Sequence, residues 1–297
     1  MKWTPGTEND DVIDQRGDSG GGGGGGGGGF GVAHLTGGGV ATLIAVVVVA
    51  RLFGVDVSGL IGGGGSHVPA QRSDRQHPPS GPDADKELVD FVKYVMKDIQ
   101  GTFEAKFRAE GKPYRHAKLV LFTAAVDTGC GQSSSAIGPF YCPADEHAYI
   151  DLSFYRELRQ RFGAPGNFAQ AYVLAHEIGH HLQKLLGIEH KAQLLGRGHN
   201  RNDISVRTEL QADCFAGVWG HDARGKGILE ANDLEQALTA ATAIGDDRLQ
   251  HQAGREVNPE TFTHGSSAQR VHWFRTGFET GRFDACNTFT AHDSRDL

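Results

Sequence analysis

Residues 171–182 read Ala-Tyr-Val-Leu-Ala-His-Glu-Ile-Gly-His-His-Leu, an apolar run into which His176, Glu177 and His180 are set. No proline interrupts it, and Gly179 is its only weak helix former, so the spacing predicts a helix from about Asn167 to Leu186, closed by Gly187. Helical residues four apart lie on one face, so His176 and His180 can grip a single cation with Glu177 beside it. A buried helix cannot carry these groups unless something satisfies them. The fold must therefore bring at least one more polar side chain to this surface. Two imidazoles with a position left open for water suit zinc, one ion. A carboxylate next to that ion can take a proton from water, which points to zinc-dependent hydrolysis of peptide bonds.

A zinc site needs a third protein ligand. The metzincin pattern would place Gly at 183 and His at 186, but those positions are Gln183 and Leu186, so that class is excluded. The segment Arg207-Thr-Glu209-Leu-Gln-Ala-Asp213-Cys-Phe-Ala-Gly217 offers the other common solution. Glu209 and Asp213 share a helix face, so Glu209 can bind the metal while Asp213 accepts the N–H of a ligand imidazole. His190 and His199 are rival ligands within a stretch that reads as loop. His264 and Arg270, in Thr261-Phe-Thr-His-Gly-Ser-Ser-Ala-Gln-Arg270, are candidate donors to the oxyanion of a scissile carbonyl. His181 points about 100° around the helix from His180 and is expected to be a bystander.

Taken with Gly138-Pro-Phe-Tyr-Cys-Pro143, Ala148-Tyr-Ile-Asp-Leu152 and the glycine-rich N-terminal stretch, these motifs resemble the bacterial putative neutral zinc metallopeptidases over most of the chain. The resemblance implies a peptidase with a gluzincin-like site. A more distant similarity is to membrane-bound zinc proteases of the prenyl-protein-processing type. There a Glu with a following Asp completes the metal site, and a downstream His with an Arg six residues on lies near the reacting carbonyl, as His264 and Arg270 would here. That family's Pro after the His is Gly265 in this chain, so the local turn differs.

The charge balance of -7 gives no basic footprint for nucleic acid, and the expected partners are a peptide or protein substrate and a membrane. Four cysteines allow three pairings. Cys130 and Cys142 bracket a turn-rich segment that a disulfide could staple, which would leave Cys214 and Cys286 for each other. Oxidised pairs would place the domain outside the cytoplasm.

Along the chain, residues 1–36 are polar and include ten consecutive glycines, Gly20 to Gly29, so they read as a disordered tail. Residues 37–55 carry Arg51 as their sole charge. As a helix they would reach about 28 Å, which predicts one transmembrane helix. Residues 56–85 read as a flexible linker. Residues 86–297 form the expected metallopeptidase domain, placed as a single-pass protein of the cell membrane with the catalytic domain extracytoplasmic. Leu88, Phe91, Val92, Val95, Ile99 and Phe103 recur at helical spacing to about Arg108. Residues 117–126 read as a buried strand, and 148–154 as an edge strand that could hold an extended peptide. The fold class expected is α+β, a zincin-like domain, mainly helical with a small sheet. Intact Glu177 favours turnover over two alternatives, a membrane-tethered metal- or protein-binding module without turnover and a scaffold whose His-Glu cluster holds no metal.

Overall fold

The computed structural model describes residues 1–17, 85–196, 201–290 and 297. The architecture is α+β, mainly helical with a small sheet. Helix α1 (Lys86–Ala109) follows the expected stripe, burying Val89, Val92, Val95, Met96, Ile99, Phe103 and Phe107. Strand β2 (Lys118–Phe122) comes next, then the hairpin β3 (Ala125–Thr128) and β4 (Gly131–Ser134). The sheet is completed by β5 (Phe140–Cys142) and β6 (His147–Asp151). The helical half comprises α2 (Ser153–Gln160), α3 (Asn167–Leu185), α4 (Ile188–Leu195), α5 (Arg201–Gly225), α6 (Asp233–Ala243), α7 (Asp246–Gln252) and α8 (Ser267–Thr280).

With β1 (Val12–Asp14) at one edge, the four-stranded sheet runs β1-β2-β6-β5, with β2 parallel to both β1 and β6, and β5 antiparallel to β6. β6 is therefore interior, not the edge that its alternating pattern suggests. Its two edges pair with β2 and β5, and Ala148 and Tyr149 bury into separate hydrophobic clusters on opposite faces of the sheet. The edge beside the helices is β5.

β1 (Val12–Asp14) comes from the N-terminal segment, so the expectation of a disordered tail over 1–36 fails for residues 1–17. The short apolar punctuation Met1, Trp3, Val12 and Ile13 is what ties this segment down. Trp3 meets Phe91 edge-on at 5.6 Å, and the Met1 ammonium pairs with Asp233 at 2.9 Å and Glu230 at 2.8 Å. Asp11 accepts from His116 at 2.6 Å and Lys118 at 2.8 Å. Arg16 lies 3.7 Å from Asp85, so the two described ends of the chain at Gly17 and Asp85 are neighbours.

The transmembrane helix expected at 37–55 and the linker at 56–85 lie outside the described residues, save for Asp85. Among the described residues no helix is long and apolar enough to cross a membrane. The single-pass placement is overturned on a further ground. One crossing between Gly17 and Asp85 would put β1 and β2 on opposite sides of a bilayer, yet they are hydrogen-bonded neighbours in one sheet. Hence Glu8→Cys and Glu87→Cys variants, both at exposed positions, should be labelled by an impermeant thiol reagent together or not at all in intact cells. Labelling of one alone would break the sheet assignment.

Both disulfides left open by the sequence are formed. Cys130–Cys142 ties the β3–β4 hairpin to β5, and Cys214–Cys286 ties α5 to the segment after α8.

Three glycines set the packing of the central helices. A Cβ on Gly179 of α3 would meet the Ala212 carbonyl oxygen of α5 at 2.9 Å. A Cβ on Gly217 of α5 would meet the Phe274 oxygen at 2.0 Å, and one on Gly277 of α8 would meet the Cys214 oxygen at 1.9 Å. Only hydrogen fits at these crossings, so the helix cost of glycine is exchanged for backbone contact. α5 is thereby held against α3 on one side and α8 on the other.

Candidate metal centre

α3 is buried on nearly every face, and it carries His176 and His180 to the point where Gly179 lets α5 approach. α5 answers with Glu209. Its carboxylate lies 3.1 Å from His176 Nε2 and 3.6 Å from His180 Nε2. One ligand atom from each of the three residues falls within 4.8 Å of the others, and among the described residues this is the only such group. The rival His190 sits on α4, a helix where a loop was expected, and His199 is outside the described residues. The donor set, two imidazole nitrogens and one carboxylate oxygen, is one that zinc accepts with a position to spare.

Each imidazole is fixed through its other nitrogen. His176 Nδ1 donates to Asp213 Oδ1 at 2.8 Å, one helical turn beyond Glu209. The same oxygen accepts from Tyr172 OH at 2.6 Å and from Arg270 Nη2 at 2.9 Å. Arg270 also reaches Tyr172 OH at 3.2 Å and the Ile244 carbonyl at 3.4 Å. Its guanidinium is therefore turned onto Asp213 rather than toward open space. His180 Nδ1 lies 2.9 Å from Gln183 Oε1.

The charges agree with this geometry. Burial disfavours the imidazolium of His176, but the Asp213 carboxylate and its bonds to Asp213 and Glu209 prevail, holding it up to about 10. Burial would raise Glu209, yet His180, His176 and His264 hold it far below the usual carboxylate range. Asp213 stays low against burial because Arg270 and His176 face it. Glu177 behaves differently. It is buried and burial pushes its carboxyl up, with the nearby imidazoles only partly opposing.

His264 reaches the same region from the α7–α8 turn. Its Nδ1 lies 3.1 Å from Asp246 Oδ1, while Asp246 Oδ2 accepts from the Thr263 and His264 amides, each at 2.6 Å. The turn passes through Gly265 at φ 92°, a backbone state closed to proline, which accounts for the departure from the Pro-bearing pattern. Burial opposes the charge on His264, but Asp246 raises it, and His264 in turn lowers Asp246.

This pair makes a signed prediction. The raised His contributes stability below its unfolded value, lost as pH rises through its folded one. The lowered Asp contributes above its unfolded value, lost as pH falls. Both are complete between roughly pH 4 and 6.5. Asp246→Asn should flatten the stability profile above that window, measured by urea denaturation of the metal-free protein. An unchanged slope would exclude the pair.

His181 is a structural residue, as expected. It bonds Tyr141 OH at 2.9 Å and the Arg115 carbonyl at 2.7 Å, so it fastens α3 to β5. Three residues near the centre escaped the sequence reading: Tyr172, Gln183 and Asp246. Gln183 lies three residues from His180 and Tyr172 four from His176 on one helix, a spacing that could have flagged them. Asp246 carried no local signal.

The match to a family model described as "Putative neutral zinc metallopeptidase" spans residues 1–289. The chain is 48% identical over 292 residues to the uncharacterized protein YpfJ of Escherichia coli K12, covering 97% of this chain and 99% of the relative. It is 41% identical over 262 residues to the uncharacterized protein Rv2575 of Mycobacterium tuberculosis H37Rv, covering 82% of this chain and 86% of the relative. No solved structure matches. With the His176, His180 and Glu209 group lying inside the matched range, the chain belongs to the putative neutral zinc metallopeptidase family.

Proposed function

We propose that the chain is a zinc-dependent endopeptidase of zincin-like construction, with His176, His180 and Glu209 as a gluzincin-type ligand set. The observation that carries this reading is the convergence of those three side chains from two helices, with Glu177 buried beside them. A zinc ion held there supplies Lewis acidity, acidifying water and polarising the scissile carbonyl.

Glu177 takes the proton of the attacking water and delivers it to the leaving amine nitrogen. Its burial favours this task, since raising the carboxyl's affinity for a proton makes it a better acceptor from water. His264, its charged form favoured by Asp246 and close enough to Glu209 for their charges to interact, donates to the developing oxyanion. Arg270 acts at one remove. Its donors are committed to Asp213, Tyr172 and Ile244, so it keeps Asp213 ionised and oriented as the acceptor for His176. β5, the sheet edge that touches α3 through Tyr141 and His181, is the strand able to align an extended peptide.

The test is metal analysis and proteolysis on the full chain. Zinc near one equivalent is expected, lost in His176→Ala, together with cleavage of a peptide library that stops on chelation and returns with zinc. Absence of bound zinc would leave only a scaffold. Zinc without any cleavage would leave a binding module.

A further inference from the structure

Gln183 is 2% exposed, in the last turns of α3, and each polar atom of its amide has a partner. Nε2 donates to the Thr208 carbonyl of α5 at 2.7 Å and to Gln211 Oε1 at 3.2 Å. Both are acceptors, so the amide orientation is fixed and Oε1 must face His180, whose Nδ1 lies 2.9 Å away. Gln211 is held in turn, its own Nε2 donating to the Cys286 carbonyl at 2.8 Å. A chain of amides thus runs from the Cys214–Cys286 region to the second ligand histidine.

The two ligand histidines are held by different chemistry. His176 has a carboxylate that is itself gripped by an arginine and a tyrosine. His180 has one neutral amide. An acceptor on Nδ1 is what places the proton there and leaves the Nε2 lone pair free for a cation, the role that partners of metal-bound imidazoles commonly take. Among the described residues nothing else is bonded to His180 Nδ1, so without Gln183 its ring loses its tautomer preference and the rotational restraint on that side.

We propose that Gln183 is a positioning residue of the zinc site, setting the tautomer and orientation of His180 while bridging α3 to α5. The inference rests on the reading of His176, His180 and Glu209 as zinc ligands.

Its two functions can be separated, because one uses the amide oxygen and the other the amide nitrogen. Gln183→Met preserves the unbranched shape and removes both. Gln183→Glu keeps an acceptor for His180 and loses the donor to Thr208. Zinc dissociation constants of the full-length protein, measured by competition with a chromogenic chelator, should rise roughly tenfold to a hundredfold in the Met variant. In the Glu variant they should stay within about threefold of the parent or fall, since a carboxylate raises ligand basicity. The d–d absorption of the cobalt-loaded Glu variant should match the parent. A Met variant that binds zinc as tightly as the parent overturns the proposal. So does a Glu variant weakened by tenfold or more, which would mark a purely structural bridge. If the Met variant does not fold, the Glu variant and its cobalt spectrum decide alone. A parent chain that binds no zinc fails differently, because it removes the underlying ligand reading as well.

Discussion

Glu177→Gln is expected to retain zinc and to lose about 10²- to 10⁴-fold in peptide-bond cleavage, the range attributable to a positioned acid–base group. Glutamine matches the carboxylate in shape but cannot take a proton, and Glu177 is not among the three side chains that converge as a possible metal site. The same substitution should leave the metal-free protein as stable or more so. Burial raises the folded value of this carboxyl, so ionising it costs folding free energy that grows as pH rises through the carboxylate range. Gln removes that cost at neutral pH. Equal cleavage by parent and variant, at matched zinc content, would exclude Glu177 as the base.

The second large effect concerns Asp213. Arg270 and Asp213 are both buried, and Arg270 Nε lies 2.9 Å from Asp213 Oδ2. Asp213→Ala leaves the guanidinium buried without its carboxylate, facing only the neutral acceptors Tyr172 OH, His176 Nδ1 and the Ile244 carbonyl among the described residues. Stranding a buried charge in this way costs about 3–5 kcal/mol, and denaturant unfolding of the metal-free protein measures it. The pair is not needed for the fold as such, because apolar residues of similar volume often replace a buried ion pair without loss. Asp213→Leu with Arg270→Met should therefore recover most of the stability. It should not recover zinc affinity, because His176 Nδ1 would still lack its acceptor. A single variant as stable as the parent would remove the energetic argument for the pair. A double variant with parental zinc affinity would show that Asp213 does not position His176.

The direction in which Arg270 turns is not legible in the sequence, although in the fold its guanidinium lies on Asp213. An arginine six residues after a histidine near a helix start is compatible with an exposed oxyanion donor. Whether it points to solvent or inward depends on where α8 crosses α5. That crossing is set by Gly217 and Gly277, which lie 60 positions apart. The edge strand failed for a related reason. Ala148-Tyr-Ile-Asp alternates as an edge strand does, and only the tertiary pairing with β2 and β5 makes it interior. Residues 1–17 were assigned to a disordered tail because the glycine run dominates their neighbourhood. Their docking depends on partners more than 70 positions away, Phe91 and Leu119 among them.

The residue order alone determined the helical pairing of His176 with His180, the place of Glu177 beside them, and the Glu209–Asp213 face of a second helix. All three follow from the 3.6-residue period and the cost of burying polar groups without partners. Tertiary structure decided which nitrogen of each imidazole is committed to a partner, which way Arg270 turns, and that the chain on either side of 17–85 shares one sheet. Those outcomes are contacts between segments distant in sequence, and local propensity holds no record of them.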